Sequence, residues 1–350
     1  MGNKLLFIGR LESNSERGRD GVVNKNRVFY STMQSILKKT TFVDLDKIKQ
    51  PYTLIKLLIE VLRHRCETIV FASGGSTVSC KMVAVIQKIT PKNSIIILGL
   101  GGKMHHNILS NDSNIKVMKK CRAILVEGKN MTRVLREKGI SNVYYVPNFK
   151  EISILPKKSN HELKKIKFLF FARITPFKGC NLIFEAVERL RSEGYANRLE
   201  IHFYGMMQEE YRSNFEENLE KNKDVACYHG ILKPMGKETY NEIAQYDVML
   251  LPTYWPDEGF PASIVDAFIA GLPVIASDWN QNCEIIKDGE NGFLIPPHDA
   301  IALAEKMEYM ILNPDFIASR INLIQQNALN YNTSNVLNPQ FLRKIGICND

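Results

Sequence analysis

The sequence predicts an α/β protein built as two doubly wound units, each a parallel sheet with helices on its faces. Three observations carry that expectation. Short apolar runs recur along the chain, each followed by a polar or glycine-bearing turn and then a segment of helical period. Runs that are apolar throughout suit strands buried on both faces of a parallel sheet. The composition shifts once, over residues 150–167, to a polar, basic, proline-containing stretch without a periodic apolar face, which reads as a linker. And 350 residues suffice for two domains of ordinary size. The expected units are 1–150 and 151–330, with a tail, 331–350, able to cross back to the first unit.

In the first unit Leu5-Leu6-Phe7-Ile8 reads as the opening strand, 9–21 as a polar loop and 22–38 as a helix. Ligands of doubly wound sheets bind beyond the carboxyl ends of the strands. Gly21, at that helix start, is therefore a candidate for close approach to a phosphate; it equally suits a plain turn. Phe42-Val43 is a second strand. Asp44-Leu45-Asp46 behind it has the look of a divalent-cation pair, but a helix over 51–65 follows directly. Acids placed before a first helical turn serve capping and the dipole, so no metal site is assigned. Residues 68–72 form a third strand, and Ser73-Gly74-Gly75-Ser76-Thr77 opens a helix to about 89. A fourth strand, 94–98, ends in the glycine-rich tip Gly99-Leu100-Gly101-Gly102-Lys103-Met104-His105-His106. His105 there can hydrogen-bond a sugar hydroxyl, while an exposed histidine pair is the plainer reading. Strands over 124–127 and 143–146, with a helix over 129–138 between them, complete the unit.

The second unit opens with the strand 168–171. Its exit loop, Ala172-Arg173-Ile174-Thr175-Pro176-Phe177-Lys178-Gly179, leads into a helix over 180–191. Arg173 and Lys178 flank this strand exit and helix start, where a guanidinium and an ammonium can neutralise a diphosphate without metal. Strands at 199–204 and up to Tyr228, a helix over 238–245 and the strand 248–251 follow. Pro252 and the residues to Gly259 break that last strand into a loop. Pro261 suits the first turn of a helix over 262–270, which Gly271 and Pro273 end before a strand at 274–276. Gly259, Phe260, Pro261, Ala262 and Ser263 thus surround a helix N-terminus, whose unpaired N–H groups favour an anion. Glu258 stands in the loop before it and Asp266 inside the apolar helix itself. A buried acid is expensive without a partner. Sugar hydroxyls would supply one, and so would a neighbouring loop. The strand 293–295 and helices over 300–312 and 314–330 close the unit.

Bulk properties exclude several classes. The net charge of +9 is spread along the chain, which suits phosphorylated ligands or an anionic lipid surface such as the inner membrane face. No interleaved aromatic and basic motif points to RNA, so no nucleic-acid partner is expected. The seven cysteines include no Cys-x-x-Cys pair, which argues for reduced thiols in the cytoplasm. The N-terminal apolar run is too short for a signal peptide, and no run reaches the length needed to cross a bilayer; any membrane contact is expected to be peripheral.

With these residues in view, the stretch from about 168 to 297 resembles the retaining, nucleotide-sugar-dependent glycosyltransferases of sequence family 4. Arg173 with Lys178-Gly179 looks like that family's diphosphate clamp. Glu258-Gly259-Phe260-Pro261 followed by Asp266 looks like its two-acid signature. Gly271-Leu272-Pro273-Val274-Ile275-Ala276, then Glu284 and Asp288-Gly289-Glu290-Asn291-Gly292, looks like its closing segment. The resemblance implies the GT-B architecture, two Rossmann-like domains with the donor in the cleft between them. It implies a metal-independent, retaining hexose transfer from a nucleoside-diphosphate sugar, a UDP-sugar first among donors, with no further cofactor. Glu258 would hold hydroxyls of the transferred sugar, Asp266 the nucleotide ribose, and Arg173 and Lys178 the leaving diphosphate. The acceptor implied is a glycan or lipid-linked oligosaccharide, as in the synthesis of capsule, O-antigen or lipopolysaccharide.

The sequence departs from the family twice. Asp266 stands where the family usually has Glu, one methylene longer, and the first unit has Leu98 and Leu100 where a sugar-binding histidine is expected, His105 lying slightly later. Two alternatives follow: a nucleotide-sugar epimerase of the same architecture, and a catalytically silent partner of another transferase.

Overall fold

Each apolar run becomes a strand of one of two six-stranded sheets. The computed structural model describes residues 4–11, 21–45, 50–91, 94–158, 164–232 and 237–348. Its contacts divide the chain into one unit of Met1–Glu151 with Tyr331–Asp350 and another of Ile152–Asn330.

The first unit runs β1 (Lys4–Gly9), α1 (Gly21–Ile36), β2 (Lys39–Asp44), α2 (Pro51–Arg63), β3 (Thr68–Ser73), α3 (Thr77–Ile89), β4 (Ile95–Gly99), α4 (Met104–Leu109), α5 (Asp112–Lys119), β5 (Ala123–Val126), α6 (Lys129–Glu137) and β6 (Val143–Tyr145). The strands pair in parallel in the order β2-β1-β3-β4-β5-β6. Side chains alternate across the pleat, so Leu6, Ile8, Ile69 and Phe71 meet Leu57, Val61 and Val83 of α2 and α3 on one face. Leu5, Phe7, Val70 and Ile96 meet Phe29 and Met33 of α1 on the other.

The second unit runs β7 (Ile166–Phe171), α7 (Cys180–Ser192), β8 (Leu199–Tyr204), α8 (Arg212–Lys221), β9 (Ala226–Tyr228), α9 (Lys237–Ile243), β10 (Val248–Leu251), α10 (Ala262–Ile269), β11 (Val274–Ser277), α11 (Asn282–Ile285), β12 (Gly292–Ile295), α12 (Ala300–Leu312) and α13 (Pro314–Leu329). The sheet order is β12-β11-β10-β7-β8-β9, again all parallel. The chain therefore walks outward from β7 to β9, then restarts at β10 on the other side of β7. That reversal is a topological switch point, where the two exit loops diverge and leave a crevice.

The tail forms α14 (Thr333–Val336) and α15 (Pro339–Lys344). Leu342, Ile345 and Ile347 pack with Val146 and Phe149 on the α1 face of the first sheet. The Arg122 guanidinium locks the return by donating to the Gly346 carbonyl at 2.7 Å and to Thr68 Oγ1 at 3.1 Å.

The structure adds helices that periodicity did not reveal. α4 begins within the glycine-rich tip and α5 follows it before β5, and α8 is polar along most of its length, with Phe215 as its buried anchor. Strand β7 begins inside the stretch read as linker, and of the Asp44-Leu45-Asp46 triplet Asp46 lies outside the described residues.

In the second core Phe203 sits among three rings, with centroids 5.5 Å from Phe170, 5.2 Å from Phe184 and 5.2 Å from Phe215. Removing a fully buried ring leaves a cavity that neighbouring rings cannot fill. Phe203→Ala is expected to destabilise this unit by about 4 kcal/mol, read as an earlier transition in denaturant unfolding.

Candidate active site

Strands β7 and β10 pair through Val248 with Phe168 and Met249 with Leu169, so their exit loops emerge side by side. After β7 the chain makes a 3₁₀ turn, Pro176–Lys178, then Gly179, from which α7 starts. Gly179 has φ +82, and a Cβ there would lie 2.1 Å from the Pro252 carbonyl oxygen of the other loop. Only glycine permits both the left-handed backbone and this approach. The Tyr254 N–H donates to the Phe177 carbonyl at 2.8 Å, and the Phe177 ring stands edge-on to Trp255 at 5.5 Å. Two loops far apart in sequence are thus stitched together at the switch point.

That stitching brings Lys178 to Glu258. The Lys178 ammonium donates to Glu258 Oε2, and both side chains are largely buried, 16% and 10% exposed. The Thr253 hydroxyl donates to the same oxygen at 2.8 Å and accepts from the Trp255 N–H at 3.2 Å. Glu258 is held by its backbone as well: its N–H donates to the Trp255 carbonyl at 3.0 Å, and its carbonyl accepts from the Asn280 side chain at 3.0 Å. Asn280, in the turn after β11, has φ 51. The Trp279 indole donates to the Trp255 carbonyl at 2.8 Å. Two charges withdrawn from water compensate each other only when geometry and extra hydrogen bonds are good, and here both conditions hold.

The other expected residues are distributed as follows. Arg173 is exposed in the turn after β7, with no ion pair among the described residues. Gly259 is half-buried and Phe260 buried, while Pro261 opens α10 with no side chain capping it; Ala262 and Ser263 in its first turn are half-buried. Asp266 is 7% exposed and accepts from the Tyr240 hydroxyl of α9 at 3.1 Å. Burial, together with the Asp266 charge, drives the Tyr240 phenol far above its ordinary range, so it stays a donor.

In the first unit Gly21 is the exposed first residue of α1, and a Cβ there would meet open space. The reading of His105 and His106 as an exposed pair is corrected. His105 is buried in the first turn of α4 because Met104 and Ile108 draw that helix onto the sheet, and only His106 is exposed. Their rings lie 4.0 Å apart. Burial, then the neighbouring His106 charge, lower the His105 pKa to about 4, against a hydrogen bond to the Gly102 backbone that raises it. Its Nδ1 has no partner among the described residues. Among the described residues no three His, Cys, Asp or Glu side chains are placed to share a metal ion.

Thr253 and Asn280 at the Lys178–Glu258 pair, and Tyr240 against Asp266, were not singled out from sequence. The available signal was positional: Thr253 and Asn280 follow the exits of β10 and β11.

The sequence model of the family described as "Glycosyl transferases group 1" matches residues 151–330. Among similar proteins, a glycosyltransferase named for colanic acid biosynthesis in Salmonella typhimurium is 30% identical over 161 residues, 45% of this chain and 39% of that protein. One named for amylovoran biosynthesis in Erwinia amylovora is 29% identical over 170 residues, 45% and 40%. A poly(ribitol-phosphate) alpha-N-acetylglucosaminyltransferase of Staphylococcus aureus is 24% identical over 256 residues, 67% and 48%. The matches span less than half the length of each of these relatives. Of solved structures, Anabaena HepE in complex with UDP superposes with TM-score 0.72 at 12% identity, covering 99% of this chain and 100% of that one. A sucrose-phosphate synthase from Thermosynechococcus elongatus gives 0.73 at 13%, covering 98% and 99%. At such identities the likeness is one of fold.

Two outcomes test this geometry. Gly179→Ala is expected to destabilise the second unit by at least about 2 kcal/mol, since the strain of φ +82 adds to the clash with Pro252; chemical denaturation measures it. His105 gives a pH signature. An unfolded chain binds a proton near pH 6.5 that the folded chain refuses until about pH 4, so stability is present above that window and falls as pH drops through it. His105→Gln should flatten the slope of melting temperature against pH there by the equivalent of about one proton.

Proposed function

Since the chain belongs to the group 1 glycosyl transferases and has the GT-B fold of two Rossmann-like domains, we propose that it transfers a hexose with retention, without metal, from a nucleoside-diphosphate sugar to a lipid-linked glycan of a bacterial surface polysaccharide. The observation that carries this reading is the meeting of the Lys178 ammonium and the Glu258 carboxylate at the switch point of the second sheet. Breaking the bond from the anomeric carbon to the diphosphate builds negative charge on the leaving group. Lys178, Arg173 and the backbone N–H groups of Gly259, Ala262 and Ser263 at the start of α10 supply the compensating field. Glu258 holds sugar hydroxyls beside the reacting carbon, and the acceptor attacks from the face that the diphosphate leaves. Asp266, fixed by Tyr240, takes the ribose, and neutral His105 is assigned a sugar hydroxyl.

A UDP-sugar is the first donor to test, because the Anabaena neighbour was solved with UDP and with UDP-glucose. A surface polymer as product is supported by the names of the relatives from Salmonella, Erwinia and Staphylococcus. Work in the cytoplasm is supported by the seven cysteines, all free thiols.

A melting screen against UDP-, GDP- and ADP-sugars, followed by transfer assays with the donor that stabilises, tests the proposal. Lys178→Met and Glu258→Gln are each expected to lower transfer by about a hundredfold or more. Unchanged transfer in both variants would refute the assignment. Conversion of donor without acceptor would point to the epimerase, and no donor-dependent stabilisation to a silent partner.

A further inference from the structure

Helix α2 carries a feature that neither the sheet nor the site explains. Thr53, Leu57, Val61 and His64 face inward at helical spacing and anchor it to the first sheet. Its outward side is apolar too. Tyr52, Leu54, Ile55, Leu58, Ile59 and Leu62 are each between 41% and 61% exposed. At 100° per residue they fill one continuous arc, from Leu54 through Leu58, Leu62, Ile55 and Ile59 to Tyr52. α3, beside it on the same face of the sheet, adds Val78 and Val85, 70% and 55% exposed. Scattered exposed leucines are ordinary; a contiguous ridge of this kind marks an interaction surface.

The exposed charges of these two helices are cations. α2 and α3 contribute Lys56, Arg63, Lys81 and Lys88, all exposed. Their one acid, Glu60, has a side chain only 14% exposed and is engaged by Arg63 at 3.0 Å and His64 at 3.4 Å. An apolar arc with cations along one edge, Arg63 and Lys56 next to Tyr52, is the pattern of a helix lying in the head-group boundary of an anionic bilayer. Two copies of this face would bring like charges together. The 13 residues of α2 cannot cross a bilayer, and no helix among the described residues is long and apolar enough to do so.

We propose that the outward face of α2 docks the first unit on an anionic lipid surface, inserting its leucines and isoleucines at the acyl boundary while Lys56 and Arg63 meet lipid phosphates. This inference stands apart from the transferase reading, because vesicle binding needs neither donor nor acceptor. The test is co-sedimentation of the full chain with vesicles of equimolar phosphatidylcholine and phosphatidylglycerol, and with vesicles of phosphatidylcholine alone. Binding is expected on the anionic vesicles and to weaken with salt. The triple variant Ile55→Ser, Leu58→Ser, Ile59→Ser should lower the partition coefficient at least about tenfold with an unchanged melting curve, since the replaced side chains are exposed. Lys56→Glu with Arg63→Glu, which leaves the ridge apolar, should lower it at least about fivefold. Wild-type protein remaining in the supernatant with both vesicles would overturn the proposal, as would binding that survives both variants. Dimers in light scattering that the triple variant dissolves, without vesicle binding, would assign the face to a second copy instead.

Discussion

A single contact between backbone segments governs the second unit: Gly179 passes under the Pro252 carbonyl, where no side chain fits. Parallel pairing of β7 with β10 sets the two exit loops side by side, but it does not set their depth. The left-handed turn at Gly179 does, and it fixes where Lys178 stands and where α7 begins. Once Lys178 is there, Glu258 is the carboxylate that lets its ammonium leave water. Thr253 then satisfies the same oxygen, and Asn280 and Trp279 brace the loop that bears Glu258 from the neighbouring strand exit. Each partner is needed because a charge withdrawn from solvent without compensation costs several kcal/mol. Preorganisation of this kind is what electrostatic catalysis requires, since groups already in place need not reorganise as charge develops.

The alternation of buried runs and helices was legible because parallel strands are apolar on both faces and leave an unbroken mark. Val248–Leu251 and Leu199–Tyr204 appear with the bounds expected of them. What escaped was whatever departs from that mark. α8 reads RSNFEENLEK; its polar residues are held by pairs along the helix, and Phe215 and half-buried Leu219 one turn on are its apolar contacts with the core, too few to mark a period. α4 and α5 are too short for periodicity to separate from the glycine-rich tip. Strand order is a property of pairing between distant segments. The switch point between β7 and β10 could be expected of the fold class, but only the structure shows which loops meet there.

In the candidate site, Glu258, Lys178 and Asp266 stood out in the sequence because acids and cations at strand exits or inside an apolar helix demand a reason. Their partners did not. Thr253 is an unremarkable residue until its hydroxyl is seen between Glu258 and the Trp255 N–H, and Tyr240 reads as a helix aromatic until it meets Asp266. His105 illustrates the limit from the other side. A histidine pair after a glycine-rich run looks solvent-exposed, yet the packing of Met104 and Ile108 turns His105 inward and leaves only His106 outside. Burial is decided by the elements a segment packs on, and those lie elsewhere in the chain.

The contrast between α2 and α8 bears on what selected the first unit's surface. Both are crossover helices, α2 joining β2 to β3 and α8 joining β8 to β9, and both need only an inward stripe to hold their sheet. Lys and Glu form helices at least as well as Ile, so helix formation does not call for isoleucine at exposed positions 55 and 59. Folding gains little from apolar side chains that stay in water, and unpartnered ridges invite aggregation. α8 meets its folding task with an outer face of Glu, Asn, Lys and Arg. α2 meets the same task and yet keeps six large apolar groups outside, with cations along one edge. Neither helix formation nor the inward stripe calls for apolar groups on the outer face. That excess of exposed apolar surface is what docking of the outer face of α2 on a lipid surface accounts for.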